Sequence, residues 1–109
     1  MFGLPATLES VGGFDWDAGN TEKCSRHGLS TEEVESLFRS RIDVFPDIGH
    51  SDAETRYFDI GRSSSGRHVF VAFTLWMKRG SRRIRPISAR FMHAKEINHY
   101  AAEIARHKN

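Results

Sequence analysis

Apolar positions recur at helical spacing near both ends of the chain and at strand spacing between them. Phe14-Asp15-Trp16 alternates like a short first strand. Asp17 follows as a cap for a helix over Ala18–Arg26, ended by His27-Gly28. Ser30 with Glu33 forms a capping box, and Val34, Leu37 and Phe38 follow at the i, i+3, i+4 spacing of a buried helix face. Ile42, Val44 and Phe45 predict a short strand stopped by Pro46-Asp47 and Gly49, and His50–Glu54 a polar loop. Arg56–Arg62 predicts a strand with Phe58 and Ile60 facing one way and Tyr57 and Asp59 the other. Ser63–Gly66 is a turn cluster, so a hairpin follows into His68–Met77, whose two apolar faces suit a central strand. After a turn at Lys78–Ser81, Arg83–Phe91 predicts the last strand. Pro86 has no N–H for a ladder, so this strand lies at an edge or carries a bulge there. The final helix starts near His93, with Ile97, Tyr100, Ala101, Ile104 and Ala105 as its apolar stripe. His93 lies four residues before Ile97, so its imidazole is expected to point towards the sheet.

The order is α+β: a small antiparallel meander with two N-terminal helices and one C-terminal helix. With 109 residues the chain fits one domain. Residues 1–13 are Gly-rich and weakly patterned and read as a flexible extension, leaving 14–109 as the domain. There is no internal repeat. Cys24 is the only cysteine, so a disulfide scaffold is excluded. MFGLPATLES lacks the basic and long apolar regions of a secretory signal, and the run Val69–Phe73 is too short to cross a bilayer. A cytoplasmic protein is expected.

The net charge of +2 conceals an asymmetry. Residues 1–55 hold 4 Lys/Arg and 11 Asp/Glu, a balance of −7, whereas 56–109 hold 12 and 3, a balance of +9. Such a basic half suits an anionic partner such as nucleic acid. It equally suits a fold whose acidic helices neutralise a basic sheet edge.

Cleaving an RNA phosphodiester without a metal requires a base for the ribose 2′-OH, an acid for the leaving 5′-oxygen, and cations for the charge that builds on phosphorus. Histidine suits proton transfer near neutral pH, and arginine's planar fork matches phosphate oxygens. These residue types gather in HSDAETR, with His50, Glu54 and Arg56, and at the strand-to-helix corner, with Arg85, Arg90 and His93. Taken singly, each arginine reads equally as a solvated charge, His93 as a helix cap and Glu54 as a partner of Arg56. Arg62 shares a strand face with Arg56. GRSSSGR is a hairpin turn, not a P-loop, but its Arg62 and Arg67, together with Lys95, could touch a phosphate backbone. No His/Cys pair has zinc-ligand spacing, and nothing near Cys24 marks it as activated, so neither metal nor cofactor is expected.

Several pieces in order, FDWD at Phe14, RHGLSTEEVESLF at Arg26, HSDAETR, IGRSSSGR, VFVAFT, IRPISAR and the helix with Glu96 and Tyr100, give the chain a resemblance to the BrnT family of type II toxins. The resemblance implies a RelE-like fold and a metal-independent ribonuclease that blocks translation. It also implies a BrnA-like antitoxin that reaches operon DNA on the toxin's behalf. Its polar motif residues fall on His50, Glu54, Arg56, Arg67, Arg85, Arg90, Glu96 and Tyr100. In the family, Ser or Thr stands three residues before Glu96 as a capping box; here that position is His93. The first helix is one residue shorter than usual, the hairpin LWMKRGSRR is longer, and Met1–Gly12 precedes the usual start. On this reading Arg56, Arg85 and Arg90 bind the scissile phosphate, His50 or His93 is the acid or base, and Glu54 orients a partner or takes the proton. The alternative is an inert module with the same fold that only binds its antitoxin.

Overall fold

The computed structural model describes residues 12–39, 43–46 and 56–107. Helices α1 (Ala18–Ser25) and α2 (Thr31–Arg39) precede strands β1 (Asp43–Pro46), β2 (Arg56–Arg62), β3 (His68–Lys78) and β4 (Ser81–Phe91), and α3 (Ala94–His107) closes the chain. The strands form an antiparallel sheet in the order β1-β2-β3-β4. This is the expected α+β layout, with β3 central and β4 at the edge. Both expected caps form. The Asp17 carboxylate accepts from Asn20 N at 3.0 Å and Ser30 Oγ accepts from Glu33 N at 3.1 Å, meeting N–H groups that have no partner within their helices. The β3–β4 turn places Arg79 (φ 52) and Gly80 (φ 77) in the left-handed region, as a two-residue hairpin loop with right-handed twist requires.

One face of the sheet carries the core. Val44, Val69, Val71, Phe73, Ile84 and Ala89 pack against Cys24, Leu29, Val34 and Leu37 of the helical layer. Phe38 bridges Phe14 and Phe73 through edge-to-face contacts, with centroids 5.5 and 5.0 Å apart. On the opposite face α3 lies across the sheet, with Tyr100 against Phe45 and His68. The apolar stripe of α3 is less deeply covered than its spacing predicts. Ile97 and Tyr100 are half-buried, Ala101 is exposed, and side chains from residue 103 onward lie outside the described set.

Pro86 makes β4 both an edge and a bulged strand. Pairing with β3 runs evenly from Phe91 to Ser88, then shifts, so that Pro86 lies opposite Phe73 and Arg85 opposite Thr74. The extra residue, Ile87, reverses the inside–outside alternation. Buried positions therefore fall at Ile84, Pro86 and Ala89, not at a constant period of two. The outer edge of β4 is closed by the N-terminal segment. Gly12 N donates to Arg82 O, Ile84 N to Gly13 O and Asp15 N to Ile84 O. Phe14 makes an isolated parallel bridge to Ile84 here, in place of the expected free-standing strand. Beyond the bulge, the Asn20 side-chain amide donates to Pro86 O at 2.8 Å and Asp15 O at 3.0 Å. Residues 1–11, from the expected extension, lie outside the described residues.

Asp59 lies in the β2 row with Val44 and Val71, on the helix-covered face, and is fully buried. Neither carboxylate oxygen has a hydrogen-bond partner. Burial pushes its pKa well above the ordinary carboxylate value, which favours the neutral acid. The unfolded chain releases this proton at lower pH than the native fold does. Asp59 therefore disfavours the native state increasingly as pH rises above about 4, at up to about 1.4 kcal/mol per pH unit until the native carboxyl itself ionises. Asp59→Asn should flatten this dependence, so urea denaturation across pH 4–7 should show its stability gaining on the parent as pH rises. Asn20→Ala should cost about 1–3 kcal/mol in the same assay, because it removes a cap and leaves the buried Pro86 carbonyl unpaired.

Candidate functional site

The sheet face opposite the helical core gathers the cations. Arg56 and Arg85 both pair with Thr74, from β2 and β4 respectively. Directly paired residues share a face, so Arg56, Thr74 and Arg85 form one row across three strands, with the two arginine Cα atoms about 10 Å apart. Thr74 is buried and its hydroxyl has no hydrogen-bond partner. The next row on this face carries Phe58, Ala72 and Ser88, and the one after it Ile60, Phe70 and Arg90. Arg90 thus shares the face but stands about 13 Å along the strand from the Thr74 row. Arg85 and Arg90 are five residues apart, so unbroken alternation would put them on opposite faces. The bulge at Ile87 is what brings them to the same one.

Carboxylates hold Arg85 and Arg90. Arg85 donates to Asp15 at 3.1 Å and to Asp17 at 2.6 Å, and Lys78 reaches the second oxygen of Asp15 at 3.2 Å. The first of these aspartates lies just after the bridge to β4 and the second caps α1, so the edge segment that closes the sheet also delivers the counter-charges. The hydrogen bond from Arg85 holds the Asp17 carboxyl below its ordinary value, helped by the Asn20 backbone, and the same bond raises Arg85. Arg90 makes a two-pronged pair with Glu96, both contacts at 2.7 Å, and packs 4.9 Å from the Phe70 ring centroid. Glu96 Oε1 also accepts from His93 N at 3.0 Å. His93 is therefore the residue before α3 whose backbone the family's glutamate caps. His93 is exposed, so the burial towards the sheet that the helical spacing predicts is not found.

The remaining candidates scatter. Arg62 is exposed at the end of β2, opposite His68. Lys95 is exposed in the first turn of α3. Arg67 stacks its guanidinium 3.7 Å from the centroid of Phe91, a ring packed against the helical core, so it serves the other side of the sheet. His50 and Glu54 lie outside the described residues. Two side chains not singled out from sequence join the cationic face. His68 touches Tyr100, and burial, with nearby Arg62, lowers its pKa. Trp76 is 43% exposed and lies in the row opposite Arg83. Strand parity from Thr74 would have found Trp76, and parity from Arg62 would have found His68. Cys24 is buried, and desolvation raises its thiol pKa, leaving it a core residue. Among the described residues, no group of three or more His, Cys, Asp or Glu side chains is placed to hold a metal ion.

A family model described as ribonuclease toxin, BrnT, of type II toxin–antitoxin system matches residues 16–96. No curated protein matches the chain. The matched span ends on Glu96 and takes in the Arg56–Thr74–Arg85 row.

The Arg90–Glu96 pair has a pH signature. Hydrogen bonds from Arg90 and then from the His93 backbone lower the Glu96 pKa from 4.5 to about 2. A depressed folded pKa contributes stability above the unfolded value that is lost as pH falls through the folded one. Glu96→Gln should therefore be less stable than the parent at pH 7, with the difference fading between about 4.5 and 2. Because both side chains are 36% exposed, the loss at pH 7 should stay near 1 kcal/mol or below in thermal or urea denaturation.

Proposed function

The chain belongs to the BrnT family of ribonuclease toxins from type II toxin–antitoxin systems, and from that premise we propose that it is an endoribonuclease that cuts RNA without a metal ion and thereby inhibits translation. The observation that carries this reading is the row of Arg56, Thr74 and Arg85 on the sheet face opposite the helical core. Two guanidiniums about 10 Å apart at their Cα atoms can close on one phosphate between them. In the reaction the ribose 2′-oxygen attacks phosphorus and the 5′-oxygen leaves. A base removes the 2′-OH proton, and an acid returns a proton to the 5′-oxygen. Arg56 and Arg85 meet the charge that accumulates on the phosphoryl oxygens, and Arg90 holds the neighbouring backbone. His50 or His93 moves the protons, with Glu54 as orienting group or base. Arg62 and Lys95 extend the cationic track. A type II toxin implies an antitoxin; we take that partner to be BrnA-like, joining the toxin to operon DNA in the cytoplasm.

The ion pairs of Arg85 and Arg90 favour a second reading. Arginines held by their own carboxylates are structural, and the chain would then be an inert module that only binds its antitoxin.

Purified protein incubated with RNA in excess chelator separates the two. Metal-free cleavage is expected, and Arg56→Ala should slow it by about 100-fold or more, the usual loss when one transition-state donor is removed. Loss of cleavage in chelator would overturn metal independence. An intact RNA together with tight antitoxin binding would establish the inert module instead.

A further inference from the structure

Trp76 stands where a nucleic-acid base would lie beside the Arg56–Thr74–Arg85 row. It is two residues from Thr74 on β3, on the same face, so its Cα is about 6.6 Å from that of Thr74, close to the step from one nucleotide to the next. Cations border it, two of them, Arg85 and Lys78, paired with Asp15 and Asp17. Arg83 lies directly opposite on β4, the Arg85 guanidinium lies 5.7 Å from the indole centroid, and Lys78 follows two residues later on the same face. The indole remains 43% exposed, although Arg85 covers part of it. The other tryptophan is used differently: Trp16 is half-buried and donates its indole N–H to Glu35 at 2.8 Å.

We infer that Trp76 is a stacking platform for an unpaired base of the RNA, next to the phosphate seated at Arg56 and Arg85. The inference rests on the ribonuclease reading and sharpens its substrate class. A base can lie on an indole only when it has left its own stack, so the site takes single-stranded RNA or a splayed loop, not a continuous duplex. Aromatic stacking accepts every base, since each offers a π-face, so Trp76 contributes affinity and positioning with little sequence preference. The surrounding arginines and lysine follow the backbone on either side of that base. An aromatic bordered by cations is the combination that single-strand binders use. An antitoxin segment on the same indole is the competing occupant, and the surrounding positive charge would require that segment to be acidic.

The test uses a single-stranded 2′-O-methyl RNA oligonucleotide, whose blocked 2′-oxygen prevents cleavage, and a self-paired hairpin stem of the same composition. Wild type, Trp76→Phe and Trp76→Leu are compared by fluorescence anisotropy at fixed ionic strength. Trp76→Leu should weaken single-strand binding by about tenfold, and Trp76→Phe should restore most of it. Duplex binding should be unaffected, and tryptophan fluorescence in the wild type should be quenched on binding the single strand. Circular dichroism of the two variants establishes that both fold, as expected for an exposed strand position. Equal single-strand affinity in all three proteins, or an equal loss on the duplex, would overturn the inference while leaving the ribonuclease reading intact. Weakened antitoxin binding with unchanged RNA binding would assign the indole to the antitoxin and overturn it as well. If no oligonucleotide binds and natural RNA stays uncut, the ribonuclease reading falls and takes the inference with it.

Discussion

A single extra residue in β4 sets the character of the sheet face opposite the helical core. Pro86 cannot donate to a ladder, and Ile87 is accommodated as a bulge beside it. From there to the hairpin, every side chain of β4 lies on the face opposite the one simple alternation assigns it. Pro86 and Ile84 turn into the core, and Arg85 and Arg83 turn outward to join Arg90. Without that slip, Arg83 and Arg85 would lie on the face opposite Arg90, and Arg85 would sit against the helical core, where an unpaired charge is costly.

The bulge also explains the docking of the N-terminal part. An exposed edge with free backbone groups invites pairing with other chains. Residues 12–15 satisfy the edge up to Ile84, and the Asn20 amide takes the Pro86 carbonyl where the ladder stops. That attachment places Asp15 and Asp17 against Arg85 and Lys78. The acidic half of the chain thus neutralises part of the basic half.

At the other end of the face, Glu96 does two jobs with one carboxylate. It caps α3 through the His93 backbone and clamps Arg90 against Phe70. A helix with a half-covered apolar stripe is thereby tied to the sheet by a charge-assisted pair as well as by Tyr100. The result is a face with a fixed arginine at each end and a floor of small residues, Ala72 and Ser88, between them.

The helices, their caps, the central strand and the turn positions were legible in the sequence because each rests on local rules: a capping side chain, a spacing of three and four, a Gly where φ is positive. The resemblance, too, rested on linear motifs, and the family match over residues 16–96 takes in most of them. The site was legible only as a set of residue types. Whether Arg85 and Arg90 share a face depends on a bulge whose register is decided by pairing with β3, and Pro86 announces it only as one of two options. The ion partners of Arg85 lie 68 and 70 residues away in the chain, beyond any local pattern. Asp59 followed strand parity faithfully yet was buried without a partner, because the sheet face it shares with Val44 and Val71 became the core. Local propensity determined which elements exist; packing of one face against the helices decided which charges meet on the other.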